Sequence, residues 1–173
     1  MNELAITVVG RDRPGIVAEV SGILAGLQLN LTDSSMTLLR GHFAMTLICM
    51  GEAEVGAVEA ALAGMTREGE DLTAAVRVVP AGIPTAGSGT PYTLIVHGAD
   101  RLGIVAAVTQ VLSKVGGNIT DLTTRLSRSL YLLSAEVDLP STVDIDDLVA
   151  ELDEVSERLA IEVSLRTAEA DVL

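Results

Sequence analysis

The sequence predicts an α+β fold made of two tandem copies of one βαββαβ module. Three observations carry this reading. The chain repeats itself at a fixed offset, a Pro/Gly/Ser-rich stretch separates the copies, and each copy shows the same order of strand-like and helix-like runs. For that order to close, each module must be a four-stranded antiparallel sheet with two helices on one face.

The repeat is the firmest of the three. Residues 8–33 align without a gap on residues 96–121, an offset of 88, with 13 identities in 26 positions. Two copies make a pair of domains, whereas a solenoid needs more. Between them, Pro80-Ala-Gly-Ile-Pro-Thr-Ala-Gly-Ser-Gly-Thr-Pro91 has the composition of a linker. The expected organisation is a first module over 1–80, a linker over 81–91 and a second module over 92–168.

In the first copy, Leu4, Ile6 and Val8 alternate with Ala5, Thr7 and Val9, as in a strand buried on both faces. Asp12 is placed to cap the following helix and Pro14 to sit in its first turn. Val17, Val20, Leu24 and Leu27 recur at helical spacing, and Leu29-Asn30 closes the helix. Two apolar runs, 31–39 and 42–50, flank a hairpin turn at Arg40-Gly41. Val55, Val58, Leu62 and Met65 form the second helix, and 70–79 the last strand. The second copy repeats this with strands at 92–97, near 119–127, near 130–138 and at 160–167. Its helices carry Val105, Val108, Leu112 and Val115, then Leu148, Leu152, Val155 and Leu159, with Gly116-Gly117-Asn118 as a C-cap. Gly22 and Gly26 cost the first helix stability, so a close helix contact is expected there. Gln110 and Lys114 replace them in the second copy.

Composition narrows the function classes. The chain of 173 residues is 49% hydrophobic, enough for a core, and carries a net charge of −13. Both halves are acidic: residues 1–84 hold 5 Arg and 10 Asp/Glu, and residues 85–173 hold 6 Lys/Arg and 14 Asp/Glu. Direct nucleic-acid binding would need Lys and Arg to displace phosphate counterions, so it is not expected. An acidic surface suits solubility or a basic protein partner. No run approaches the ~18 apolar residues of a membrane span, and no signal peptide is visible. The single cysteine, Cys49, permits no internal disulfide, which fits a cytoplasmic setting; in an apolar strand it reads as an inert buried thiol. His42 and His97 fall in different halves without supporting cysteines, so no metal site is expected. No nucleophile triad, phosphate loop or paired-carboxylate motif stands out, so neither an enzyme nor a cofactor is expected.

The motifs that remain are Asp12-Arg13-Pro14-Gly15-Ile16-Val17 with Asn30-Leu31-Thr32-Asp33, and Asp100-Arg101-Leu102-Gly103-Ile104-Val105 with Asn118-Ile119-Thr120-Asp121. The chain resembles, on these residues, a pair of ACT domains, small ligand-binding regulatory modules of ferredoxin-like fold. As a free-standing pair it is similar to the glycine cleavage system transcriptional repressor family. The resemblance implies amino-acid binding where the first loop of one module faces the end of the first helix in its neighbour. It places Asp12, Arg13, Pro14, Gly15 and Ile16 near Asn118, Ile119 and Asp121. Reciprocally, it places Asp100, Arg101, Leu102, Gly103 and Ile104 near Asn30, Leu31 and Asp33. Helix N-terminal amides suit a ligand carboxylate, glycine permits close approach, and Asp or Asn suits an ammonium group. Serine-binding members carry a histidine where this chain has Gly10 and Gly98, and an asparagine where it has Asp12 and Asp100.

Each of these residues also has a purely structural reading. Gly15 and Gly103 would allow tight packing, Asp12 and Asp100 would cap helices, and Asn30 and Asn118 would form turns. Arg13 and Arg101 would make surface ion pairs, and Asp33 and Asp121 would be solvated edge residues. The resulting expectation is a cytoplasmic, homodimeric regulator that binds an amino acid and acts on a partner such as a transcription factor. The alternative is an assembly module without a ligand.

Overall fold

The computed structural model describes residues 2–65, 71–80 and 89–168. The chain divides into two compact units, Met1–Ile83 and Pro84–Leu173. Residues 81–88 of the expected linker, and the expected start of the fourth strand at Glu70, lie outside the described residues.

The first unit runs β1 (Asn2–Arg11), α1 (Ile16–Gly26), β2 (Asn30–Leu39), β3 (His42–Gly51), α2 (Val55–Ala63) and β4 (Leu72–Val78). Its sheet order is β2-β3-β1-β4, antiparallel throughout. Period-two alternation on β1 and β3 sends Leu4, Ile6, Val8, Phe43, Leu47 and Cys49 to one face, where each is fully buried. Val20 and Leu24 of α1 and Val58 and Leu62 of α2 close on that face, so both helices lie on one side of the sheet. Arg40 and Gly41 both take positive φ, 51° and 84°, which suits a two-residue turn between twisted strands.

The second unit repeats the plan with β5 (Thr90–Ala99), α3 (Ile104–Lys114), β6 (Asn118–Ser127), β7 (Leu130–Leu139), α4 (Ile145–Leu159) and β8 (Ile161–Thr167). Its order is β6-β7-β5-β8. Leu94, Val96, Leu133, Ala135 and Val137 face Val108, Leu112, Leu148 and Leu152 in a second core. The fold is therefore α+β, two ferredoxin-like βαββαβ units in tandem.

Several local expectations need correction. β1 is buried on one face only: Thr7 and Val9 are exposed, because nothing in the unit packs over the outer side of the sheet. Asp12 and Asp100 cap no helix; the N-cap positions are Gly15 and Gly103, and neither helix has a side-chain cap. Pro14 precedes that cap and lies outside α1. Val17 is exposed, and Ile16 takes the buried position instead. The left-handed residue that ends the first helix is Gln28, and Asn30 opens β2. Gly116 holds the left-handed position in the second unit, and Asn118 opens β6. Among the described residues Gly22 and Gly26 meet no neighbour: a Cβ on either would find nothing within 4 Å. The first strand of the second unit begins at Thr90, two residues before its expected start, with Pro91 opposite Asp138.

Candidate functional site

Each unit turns from its first strand into its first helix through a short loop that ends on a left-handed glycine. Gly15 sits at φ 86° and Gly103 at φ 89°, where a side chain would be strained. The glycine carbonyl accepts the first intrahelical bond, from the amide of Glu19 at 3.0 Å in α1 and of Ala107 at 2.9 Å in α3. The amides before it have no partner four residues back, so each helix presents free N–H groups and the positive end of its dipole. In the first unit, Asp12 also donates its amide to the carbonyl of Gly41 at 3.0 Å, which ties the loop to the hairpin.

In the second unit this loop borders an open depression of about 520 Å³, lined by Asp100, Arg101, Leu102, Gly103, Ile104, Val105, Ala106 and Tyr131. Five of the residues singled out in the sequence therefore share one depression. Ile104 is buried as the anchor of α3, while Leu102 is fully exposed at the loop tip. Tyr131 was not foreseen. It stands at the start of β7 opposite Gly98, and the repeat offset carries Phe43 onto it, which is the signal that would have found it.

The strand residues of the expected site lie elsewhere. Asn30, Leu31 and Asp33 open β2, and Asn118, Ile119 and Asp121 open β6, with a bulge at Thr32 and at Thr120. Neither asparagine forms a turn. Asn30 pairs with Met50, whereas Arg11, just before the loop, pairs with His42. Eight strand residues separate those ends, about 27 Å at ~3.4 Å each. Within one unit the loop and the strand start therefore sit at opposite ends of the sheet.

Gly10 and Gly98 have a packing reason. A Cβ on Gly10 would run into the carbonyl of Asp71, and one on Gly98 would lie 2.9 Å from Ile161. The fourth strand leaves no room at either position for a side chain as large as histidine. His97, one position earlier, points to the outer face and meets Glu162 at 3.3 Å. Burial raises the Cys49 thiol above its ordinary value, so the folded chain holds it protonated and unreactive. Among the described residues no cluster of His, Cys, Asp or Glu could hold a metal ion, and no helix is long and apolar enough to cross a membrane.

The fold and loop define a tandem of small α+β modules with one loop–helix depression described in the second. The ACT domain family matches residues 2–79 and 93–166, and the chain belongs to that family. A UPF0237 protein of Listeria monocytogenes is 41% identical over 76 residues, 42% of this chain and 82% of the relative. Another, from Methanopyrus kandleri, is 48% identical over 56 residues, 32% of this chain and 62% of the relative. An unknown protein from Galdieria sulphuraria has a similar solved structure: TM-score 0.79, 30% identity, 97% of this chain and 99% of that one covered. A candidate glycine cleavage system transcriptional repressor matches at TM-score 0.69 and 23% identity, covering 97% and 98%, which is a likeness of fold.

Proposed function

We propose that this chain binds a small amino acid at its loop–helix depression and uses that binding to regulate a protein partner. The observation that carries the reading is the second unit's depression, where Arg101, the first amides of α3 and Tyr131 converge. The guanidinium and amides suit a carboxylate, and Asp100 suits an ammonium group. The strand starts Asn30–Asp33 and Asn118–Asp121 are the residues that a neighbouring module would present to such a ligand. The partner in this reading is a transcription regulator of amino-acid or glycine metabolism. The net charge of −13 favours a protein partner over nucleic acid. The protein acts in the cytoplasm as a homodimer, without catalysis, metal or cofactor.

A second reading, assembly without a ligand, draws on β2, which is an edge strand exposed at every position. A thermal-shift panel of the twenty amino acids, glycine and serine first, separates the two. Ligand at 100 times Kd should add about 2.7 kcal/mol of stability. No shift with any of them at millimolar concentration, together with partner binding unchanged in Asp12→Ala and Asp100→Ala, would leave assembly as the function.

A further inference from the structure

The two loops share Asp-Arg-x-Gly-Ile-Val, yet their arginines stand in different electrostatic states. Arg13 is largely buried, its side chain 16% exposed, and its Nη2 donates to Glu19 Oε2 at 2.6 Å. Glu19 lies in the first turn of α1. Its carboxylate therefore holds the guanidinium from within the first turn, where the positive end of the helix favours a negative charge, and these are the two groups that would receive a ligand carboxylate. The first module's other loop arginine, Arg11, leaves β1 on the outer face of the sheet, away from this site.

The offset of 88 places Ala107 where Glu19 stands. The first turn of α3 holds no acidic residue and has no side-chain cap. Arg101 is exposed and makes no ion pair among the described residues. Beside it, Tyr131 brings a phenolic hydroxyl where the first module has the fully buried Phe43.

We propose that the two loops are unequal: Glu19 is a built-in carboxylate that occupies the first site, so only the Asp100–Ala106 loop takes a carboxylate from solution. The chain then binds one carboxylate ligand, not two. This rests on the reading of the loop as a carboxylate site, and the probe is chosen so that the two can fail separately.

The test is an acetate titration of the full chain, followed by the arginine Nε–Hε NMR signals, with Arg13 and Arg101 assigned through R13K and R101K. Arg101 should shift saturably while Arg13 stays still. In A107E, with the amide spectrum confirming the fold, Arg101 should fall silent. Equal responses of both arginines in the unmodified chain would overturn the inequality, as would a silent Arg101 there or an Arg101 that still responds in folded A107E. If acetate selects Arg101 but no amino acid stabilises the chain, the inequality stands and the amino-acid reading falls. If amino acids stabilise the chain and both arginines respond to acetate, the reverse holds.

Discussion

The two modules agree in their sheets and differ in their helices. All four strands of each pair in the same order, and β1 and β5 hold their partners in matching register. The second helices diverge. α2 has nine residues and starts after Glu54 without a side-chain cap. α4 has fifteen, and Asp144 accepts from the amides of Asp146 and Asp147 at 3.0 and 3.2 Å. Lys114 of α3 also reaches Glu151 of α4 at 2.7 Å. A sheet position is held by two neighbouring strands at once, whereas a helix terminus is held by one cap. Duplicated sequences can therefore drift at helix ends and loops while the ladder stays intact. The loop arginines follow the same rule: Glu19 pairs with Arg13, and the repeat places Ala107 there in the second module.

The largest contrast should come from the aromatic pair. Phe43→Ala empties a fully buried position in the first module and should cost about 3–5 kcal/mol, whereas Tyr131→Ala, at a partly buried site on the rim of the second core, should cost less. Hydrogen exchange resolved by module would show it, and equal losses would break the comparison. Next come the strand glycines. Gly10→Ala pushes a methyl against the backbone carbonyl of Asp71 and should cost about 1–3 kcal/mol. Gly98→Ala meets Ile161 Cγ2 at 2.9 Å and its Cα at 3.0 Å, a less severe approach, and should cost less in chemical denaturation.

A smaller effect is expected at the helix caps. Asp144→Ala should lower the stability of the second module by about 1 kcal/mol, while Glu54→Ala should leave the first nearly unchanged. Both tyrosines, Tyr92 and Tyr131, belong to the second module and the chain has no tryptophan, so tyrosine emission reads that module's unfolding. Last, Gly22→Ala adds a methyl in open space within a helix and should stabilise α1 by up to about 1 kcal/mol. A fall in melting temperature would mean that this helix face is covered in solution.

Where the fold was legible, the cause was periodicity. Alternation marked the strands, the Val55–Val58–Leu62 spacing marked α2 although Met65, expected on it, lies two residues past its end, and Arg40-Gly41 marked the hairpin, because local geometry alone dictates which side chains share a face. The repeat supplied the module count and both loop motifs. Six of the eight residues around the depression were readable from the motif, but Tyr131 arrives from β7, which begins 27 residues after Gly103. The caps were misread at Asp12 and Asp100 because aspartate is a common cap, whereas here the chain needs a left-handed residue to turn from strand into helix, and glycine supplies it.

The sequence by itself determined the duplicated βαββαβ order, the acidic balance and the loop motif, since each depends only on residue identity and spacing. Tertiary structure alone decided that β1 is buried on one side and that Gly10 and Gly98 exist for the strand beside them. It also decided that Arg13 pairs with Glu19 while Arg101 makes no ion pair among the described residues. Those outcomes depend on which atoms fold into reach of one another, and no spacing along a chain records that.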